Sequence, residues 1–291
     1  MNHVQLALVS LVSLAAVAFL ALWLSSAGRH AGHRSPTWIE VAIGTVTDFF
    51  DALGIGSFAT STSIFRALRL VPDELIPGTL NVGHAPAAIA EALIFVVVVA
   101  VDPALLAAMT AAAVLGAWLG AGVVVHLPRD RIQWGMGAAL IVAGALFVAV
   151  NLHVFPGGGT ALALHGWRLV LAVAINFVLG ALMTVGVGIF GPCMLTLALL
   201  GMNPIASFPI MMASGALLQC VASERFLRTQ RYAFGPAAGL ALGGVPGVLL
   251  AAFVVKSLPV TALRWLVTLV VAYTALSLLR AARRGRRSQA H

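Results

Sequence analysis

Apolar residues run along this chain in long blocks. Residues 4–24 form one uninterrupted apolar run, and about 20 residues suffice for a helix to span a bilayer. Residues 80–100, 103–126 and 132–150 make three further plain runs, and residues 205–222, 234–255 and 262–279 make another three. Two stretches behave differently. Residues 38–70 and 167–200 are too long for one simple helix, and each is broken by a glycine pair: Gly54 and Gly56 in the first, Gly186 and Gly188 in the second. Behind the first break the chain turns rich in hydroxyls, with Ser57, Thr60, Ser61 and Ser63. In lipid a broken backbone survives only where it is buried in protein or lines a wet cavity, because unpaired N–H and C=O groups are costly there. Each break therefore reads as a site.

The two broken stretches open two similar halves. Laid on one another, Gly54 falls on Gly186, Gly56 on Gly188, Phe58 on Phe190, Pro72 on Pro204, Pro77 on Pro209 and Gly83 on Gly215. After a slip of one residue, Leu127, Pro128 and Trp134 fall on Leu258, Pro259 and Trp265. The matched types are those that fix backbone geometry or interfacial depth. The predicted organisation is an N-terminal transmembrane helix and loop (1–37), a first repeat (38–150), a glycine-rich linker (151–166), a second repeat (167–279) and a basic tail (280–291). Paired interruptions in two halves are the best sequence pointer to a transporter binding site.

Composition places this pattern in a membrane. Of 291 residues, 61% are hydrophobic and 9% charged, with a mean hydropathy of +1.03, against roughly 25% charged in soluble domains. The formal charge of +8 is no nucleic-acid footprint, because the basic residues sit in short loops and the tail rather than in a stripe interleaved with aromatics. They serve as orientation signals instead. If each broken stretch is a re-entrant hairpin, fourteen of the 17 Lys and Arg residues fall on one side and Arg168, Lys256 and Arg264 on the other. If each spans as a broken helix, the split is eleven to six. The positive-inside rule favours the hairpins, hence seven full spans, two hairpins and repeats of inverted topology. The N-terminus is then outside and the C-terminus cytoplasmic. Trp38, Trp134, Trp167 and Trp265 fall at span ends, as interfacial anchors do. Cys193 and Cys220 match no metal or redox spacing and read as buried thiols.

The breaks carry the candidate chemistry. Free N–H groups at a helix start, backed by hydroxyls and the positive end of the helix dipole, bind anions without any lysine or arginine. Gly54, Gly56, Ser57, Thr60 and Ser61 supply such a start in the first half. Gly188, Gly191 and Pro192 supply it in the second, with Pro192 suited to the first helical position. Serine and threonine in membrane helices also merely pack and cap, but the pairing of the two breaks favours a site for a small anionic substrate. Asp48 and Asp51 are three apart and share a helix face, and ionisable groups inside a membrane mark function by default. Together with Glu91 they are the candidates for coupling to protons. Asp51 has an alternative role, hydrogen-bonding the exposed amides of the hairpin tip, and Glu91 could equally be a helix-to-helix bridge. His84 reads as a packed interfacial residue, and Asn176 and Gln219 as minor polar candidates.

The glycine-rich interruption opening each half, followed by Pro72-Asp73-Glu74-Leu75-Ile76-Pro77-Gly78-Thr79-Leu80-Asn81 and later by Asn203-Pro204-Ile205-Ala206-Ser207, resembles the TauE/SafE permeases, the sulfite-exporter-like family. The resemblance runs from about residue 39 to residue 279. It implies a bacterial inner-membrane carrier of small, often sulfur-containing anions such as sulfite, sulfate, thiosulfate or sulfonates, needing no cofactor. By position it adds Thr79, Asn81 and Ser214 to the substrate-binding candidates. The glycine run typical of the family is reduced here to Gly54-Ile55-Gly56-Ser57 and to Gly186-Val187-Gly188-Ile189-Phe190-Gly191.

Two other classes share these features. An intramembrane phosphatase or protease also uses serine-rich hairpins, but it would want an arginine beside a serine and histidine, or clustered metal ligands. No Arg or Lys lies deep in a run and no H-E-x-x-H is present. A passive channel would share the hairpins but has less need of Asp48.

Overall fold

The computed structural model describes residues 3–27, 34–53, 56–98, 101–152, 154, 159–186 and 188–254. The last expected span, residues 262–279, the tail 280–291 and Gly54 lie outside the described residues. The elements are α1 (His3–Ala27), α2 (Trp38–Ala52), α3 (Ser57–Ala67), a 3-10 turn (Asp73–Leu75), α4 (Ile76–Val98), α5 (Pro103–Val124), α6 (Arg129–Asn151), α7 (Gly166–Met183), α8 (Phe190–Leu199), α9 (Pro204–Thr229) and α10 (Phe234–Val254). No strand occurs among the described residues, where the only β pairing is a single bridge between Ala161 and Met202. Six of the described helices are long and apolar enough to cross a membrane: α1, α4, α5, α7, α9 and α10. At 1.5 Å per residue, α3 and α8 reach only about 15 Å, half of a hydrocarbon core about 30 Å thick.

Local sequence sets the helix starts. Thr37 and Glu40 form a reciprocal cap on α2, with Thr37 N–H donating to Glu40 Oε2 at 2.7 Å, and Arg34 pairs with the same buried carboxylate. Asp102 caps α5 by accepting from Leu105 N–H at 2.8 Å, and Pro103 follows where no donor is needed.

The helices pair reciprocally across the two halves. Helix α2 packs on α10, and α7 packs on α5. In the centre α4 packs on α9, while α10 also touches α4 and α5 also touches α9. The α2–α10 contact is backbone against backbone. A Cβ at Gly243 would collide with the Val41 carbonyl, one at Gly247 with that of Thr45, and one at Gly44 would lie 2.5 Å from the Leu240 oxygen. In the other pair, Gly116 abuts the Phe177 carbonyl and Gly180 that of Ala113. Small residues permit such approach, and in lipid van der Waals packing replaces the hydrophobic drive between helices. Helix α1 lies at the periphery on α9 and α4. Ser26 Oγ donates to Leu227 O at 3.2 Å, and Gln5 Nε2 to Val96 O at 3.1 Å.

Each broken segment returns to the end of the bundle at which it starts. Helix α2 begins beside the start of α10, where Gly235 sits against the Arg34 carbonyl. Helix α3 finishes at this same end, where Arg66 Nη1 pairs with Asp73 Oδ2 at 2.6 Å and Gln133 Nε2 donates to that oxygen at 2.6 Å. The α9–α10 loop closes this end, with Ala233 N–H donating to Thr79 Oγ1 at 2.9 Å. At the opposite end α7 begins where α8 finishes, and Arg168 Nη1 donates to Leu200 O at 3.5 Å. The linker joins them there: Asn203 N–H donates to Ala161 O at 2.8 Å and Asp102 N–H to Leu162 O at 3.1 Å.

Candidate functional site

Both breaks are built on glycine. Gly56 has φ of 90° and Gly186 of 109°, a region in which a side chain is strained. Helix α3 starts at Ser57 directly behind Gly56, as the hydroxyl-rich pattern predicts. Helix α8 starts at Phe190 rather than Pro192, so Pro192 is its third residue and not its first. The first turn of any helix leaves its N–H groups without helical partners, which is why proline fits there too. The first bond of this helix runs from Cys193 N–H to Ile189 O at 3.0 Å. Neither α3 nor α8 has a side-chain cap on its preceding residue. For α3 the cap comes from across the break: Asp51 Oδ1 accepts Ser57 N–H at 3.0 Å and Asp51 Oδ2 accepts Ser57 Oγ–H at 2.7 Å.

The two breaks meet. A small pocket between them is lined by Asp51, Gly56, Ser57 and Phe58 from the first, and by Met183, Gly188, Ile189 and Phe190 from the second. Its free space is on the scale of one water molecule. Of the substrate-binding candidates, Gly56, Ser57 and Gly188 come together here. Gly191 and Pro192 sit in the first turn of α8 without lining the pocket. Thr60 turns its hydroxyl back to Ser57 O at 2.7 Å. Thr79 lies at the end of the bundle under the α9–α10 loop. Asn81 Nδ2 donates to Pro77 O at 2.8 Å, and Ser214 Oγ accepts from Asn176 Nδ2 at 3.3 Å, away from the lining. Met183, Ile189, Phe58 and Phe190 complete the pocket, and only their place in the fold reveals them.

One turn behind the pocket lies a polar chain in an apolar setting. Asp48 Oδ1 is 2.7 Å from His84 Nδ1, and His84 Nε2 is 2.9 Å from Ser61 Oγ. The ring of Phe58 lies 5.6 Å from the imidazole, centroid to centroid. The histidine is fully buried, not interfacial, because α4 begins at Ile76 and carries His84 well into the bundle. Glu91, two turns further along α4, is near enough for the charges of Asp51 and Asp48 to act on it. Neither of its oxygens has a hydrogen-bond partner, nor has Asp48 Oδ2, which faces Gly244 of α10. No Lys or Arg occurs in α2, α4 or α10. Burying several like charges without a nearby Lys or Arg is costly, which sets these carboxylates apart from the surrounding packing. No group of three or more His, Cys, Asp or Glu residues suited to a metal ion occurs among the described residues.

Carboxylate, imidazole and hydroxyl stand here in the order of a hydrolase triad, but access is missing. Ser61 is wholly buried inside α3 and does not line the pocket, so no substrate carbon can approach its oxygen as nucleophilic attack requires.

Among the described residues, an all-helical bundle with six membrane-length helices, in which two interrupted segments bring their breaks to one pocket, defines a multi-pass membrane protein of transporter type. The sequence profile described as Sulfite exporter TauE/SafE matches residues 1–147, half of the chain, and the protein belongs to this family. The family is one of membrane transporters, not of enzymes. No curated protein matches the chain, and no solved structure does.

Proposed function

We propose that the protein is a secondary permease that moves a small sulfur-containing anion, such as sulfite, sulfate, thiosulfate or an organosulfonate, across the bacterial inner membrane in a proton-linked cycle. The carrying observation is that two helix starts, at Ser57 and Phe190, come from opposite ends of the bundle to one pocket. Asp51 takes the Ser57 N–H, and the aligned dipoles of the two helix starts suit an oxyanion. The reciprocal packing of α2 on α10 and of α7 on α5 supports reading the halves as inverted repeats. With the arginine-rich loops inside, the N-terminus is then outside and the C-terminus cytoplasmic. A pocket of one-water size corresponds to a closed form, and alternating access would widen it by rocking one repeat on the other. In this cycle Asp48 and Glu91 exchange protons, while Asp51 holds the start of α3. Uptake of radiolabelled sulfite, sulfate, thiosulfate and a sulfonate into proteoliposomes, with and without an imposed pH gradient, tests the proposal. Saturable uptake of one anion that responds to the gradient is expected. Uptake proportional to concentration without limit would make the protein a channel, and uptake of none would remove the substrate class.

A further inference from the structure

We propose that His84 is the group through which proton binding sets anion affinity, because it joins Asp48 of α2 to Ser61 of α3, the short helix whose first residues line the pocket. This deepens the proton-linked reading and rests on it. The geometry serves two protonation states. With a neutral ring, Nδ1–H donates to Asp48 Oδ1 and Nε2 accepts from the Ser61 hydroxyl. When a proton from water on the loading side reaches Nε2, that nitrogen becomes a donor to Ser61 Oγ. The Ser61 hydrogen then turns to a carbonyl one turn back, as serine in a helix readily does. No heavy atom has to leave its place, and the proton later departs to water on the other side.

Three consequences follow for the pocket. An imidazolium one turn from Ser57 supplies the positive charge that the pocket otherwise lacks, adding to the dipole of α3. Phe58 lines the pocket, and its ring, 5.6 Å from the imidazole centroid to centroid, is attracted to a cation there. Helix α3 is held to the histidine, its side-chain ties beside the break being Ser57 to Asp51 and Ser61 to His84. Proton and anion therefore favour each other, which makes the cycle a symport.

The neighbours leave this assignment to His84. The titratable groups facing it are Asp48 and Asp51 on α2 and Glu91 on its own helix. Helix α10 has none. On α3 the single one, Arg66, is engaged with Asp73 at the far end. On α9, Glu224 pairs with Arg228 near the surface, Arg225 lies over Trp118 of α5, and Cys220 is a buried thiol. Helix α1 contributes His3 at its start, beyond the Gln5 contact to Val96 at the opposite end of α4.

The test measures KM and the maximal rate for radiolabelled sulfite in proteoliposomes as loading-side pH is varied, using the full chain, His84→Gln and Ser61→Ala. Gel filtration of each purified variant reports folding, and Ser61→Ala, which removes a single oxygen, carries the test if His84→Gln does not assemble. In the wild type, KM falls several-fold as the loading side is acidified while the maximal rate changes little. In His84→Gln, KM stays at the high-pH value throughout, and Ser61→Ala flattens the profile in the same direction. A merely structural role would lower the maximal rate and leave the pH profile in place. If both folded variants keep the wild-type slope, the inference is overturned while the permease reading stands. If wild-type uptake is saturable but independent of pH, the coupling and this inference fall together and the carrier remains. If the wild type takes up no anion, both the proposed function and this inference are overturned.

Discussion

Asp51 offers the sharpest separation between holding a helix and carrying a charge. Helix α3 has 11 residues, and five of its first seven are serine or threonine, so its own propensity is poor. Helices shorter than about 12–15 residues are marginal alone even in favourable sequences. Gly56 provides no side-chain cap, and the two bonds from Asp51 to Ser57, at 3.0 and 2.7 Å, take that place. Asp51→Ala leaves the buried Ser57 N–H unpaired, at about 1–3 kcal/mol, and removes the hydroxyl bond, worth about 1 kcal/mol. The sum of about 2–4 kcal/mol is roughly 30- to 700-fold in the opening equilibrium of the first turn. Asp51→Asn keeps both contacts, since its Oδ1 accepts the N–H and its Nδ2 donates to the hydroxyl oxygen. Hydrogen exchange read by mass spectrometry on the peptide covering Ser57–Ala67 measures this directly in detergent. Alanine should raise exchange at the first turn by at least about 30-fold and asparagine by less than about threefold. Anion uptake should follow the same order. If the alanine variant exchanges like the wild type, Asp51 does not cap the helix. If asparagine proves as damaging as alanine, the charge rather than the cap is what the position supplies.

Asp48→Asn should leave the protein folded, because the amide oxygen still accepts from His84 Nδ1, and should abolish gradient-driven uptake; normal uptake under a pH gradient would remove Asp48 from the coupling. Gly243→Val should drive a side chain into the Val41 carbonyl and lower stability by about 3 kcal/mol or more, since backbone cannot yield as a side chain does. Gly122→Ala, where an added Cβ meets nothing within 4 Å, should be neutral or mildly stabilising in the same thermal melt. Arg66→Gln breaks a largely buried ion pair, with side-chain exposures of 15% and 10%, and should cost about 3 kcal/mol. Added salt should change that loss little in the melting assay, whereas an equally large loss from Arg228→Gln, at 66% exposure, would contradict the distinction.

What was legible in the sequence was the backbone punctuation. Glycine pairs inside apolar stretches have few readings in lipid, and both breaks occur where they were expected, with Ser57 opening α3. His84 was misplaced for a local reason. Pro77 and Gly78 look like a boundary before the apolar run, but a proline in the first turn of a helix loses no hydrogen bond, so α4 starts at Ile76 and buries the histidine. The seven-residue spacing of His84 and Glu91, two turns on one face, was the available signal. Asp48 and Asp51 could be assigned to one face, yet their separate partners, a ring on α4 and an amide on α3, depend on tertiary placement. The same holds for the glycines of α10. Their four-residue spacing is visible along the chain, but nothing local names α2 as the partner.

The pairing of α2 with α10 bears on how the protein is made. Gly44 meets Leu240, and Val41 meets Gly243, roughly 200 residues apart along the chain, a distance that synthesis at about 5–20 residues per second takes about 10–40 s to cover. During that interval α2, with Glu40, Asp48 and Asp51 along its length, has reached the bilayer without the helix that will cover it. The ion pair of Arg34 with Glu40 and the early arrival of α4 with His84 shelter part of that polarity. The remainder waits on the insertion machinery, so α2 should be the segment that a membrane insertase or quality-control protease meets first when α10 is truncated or altered.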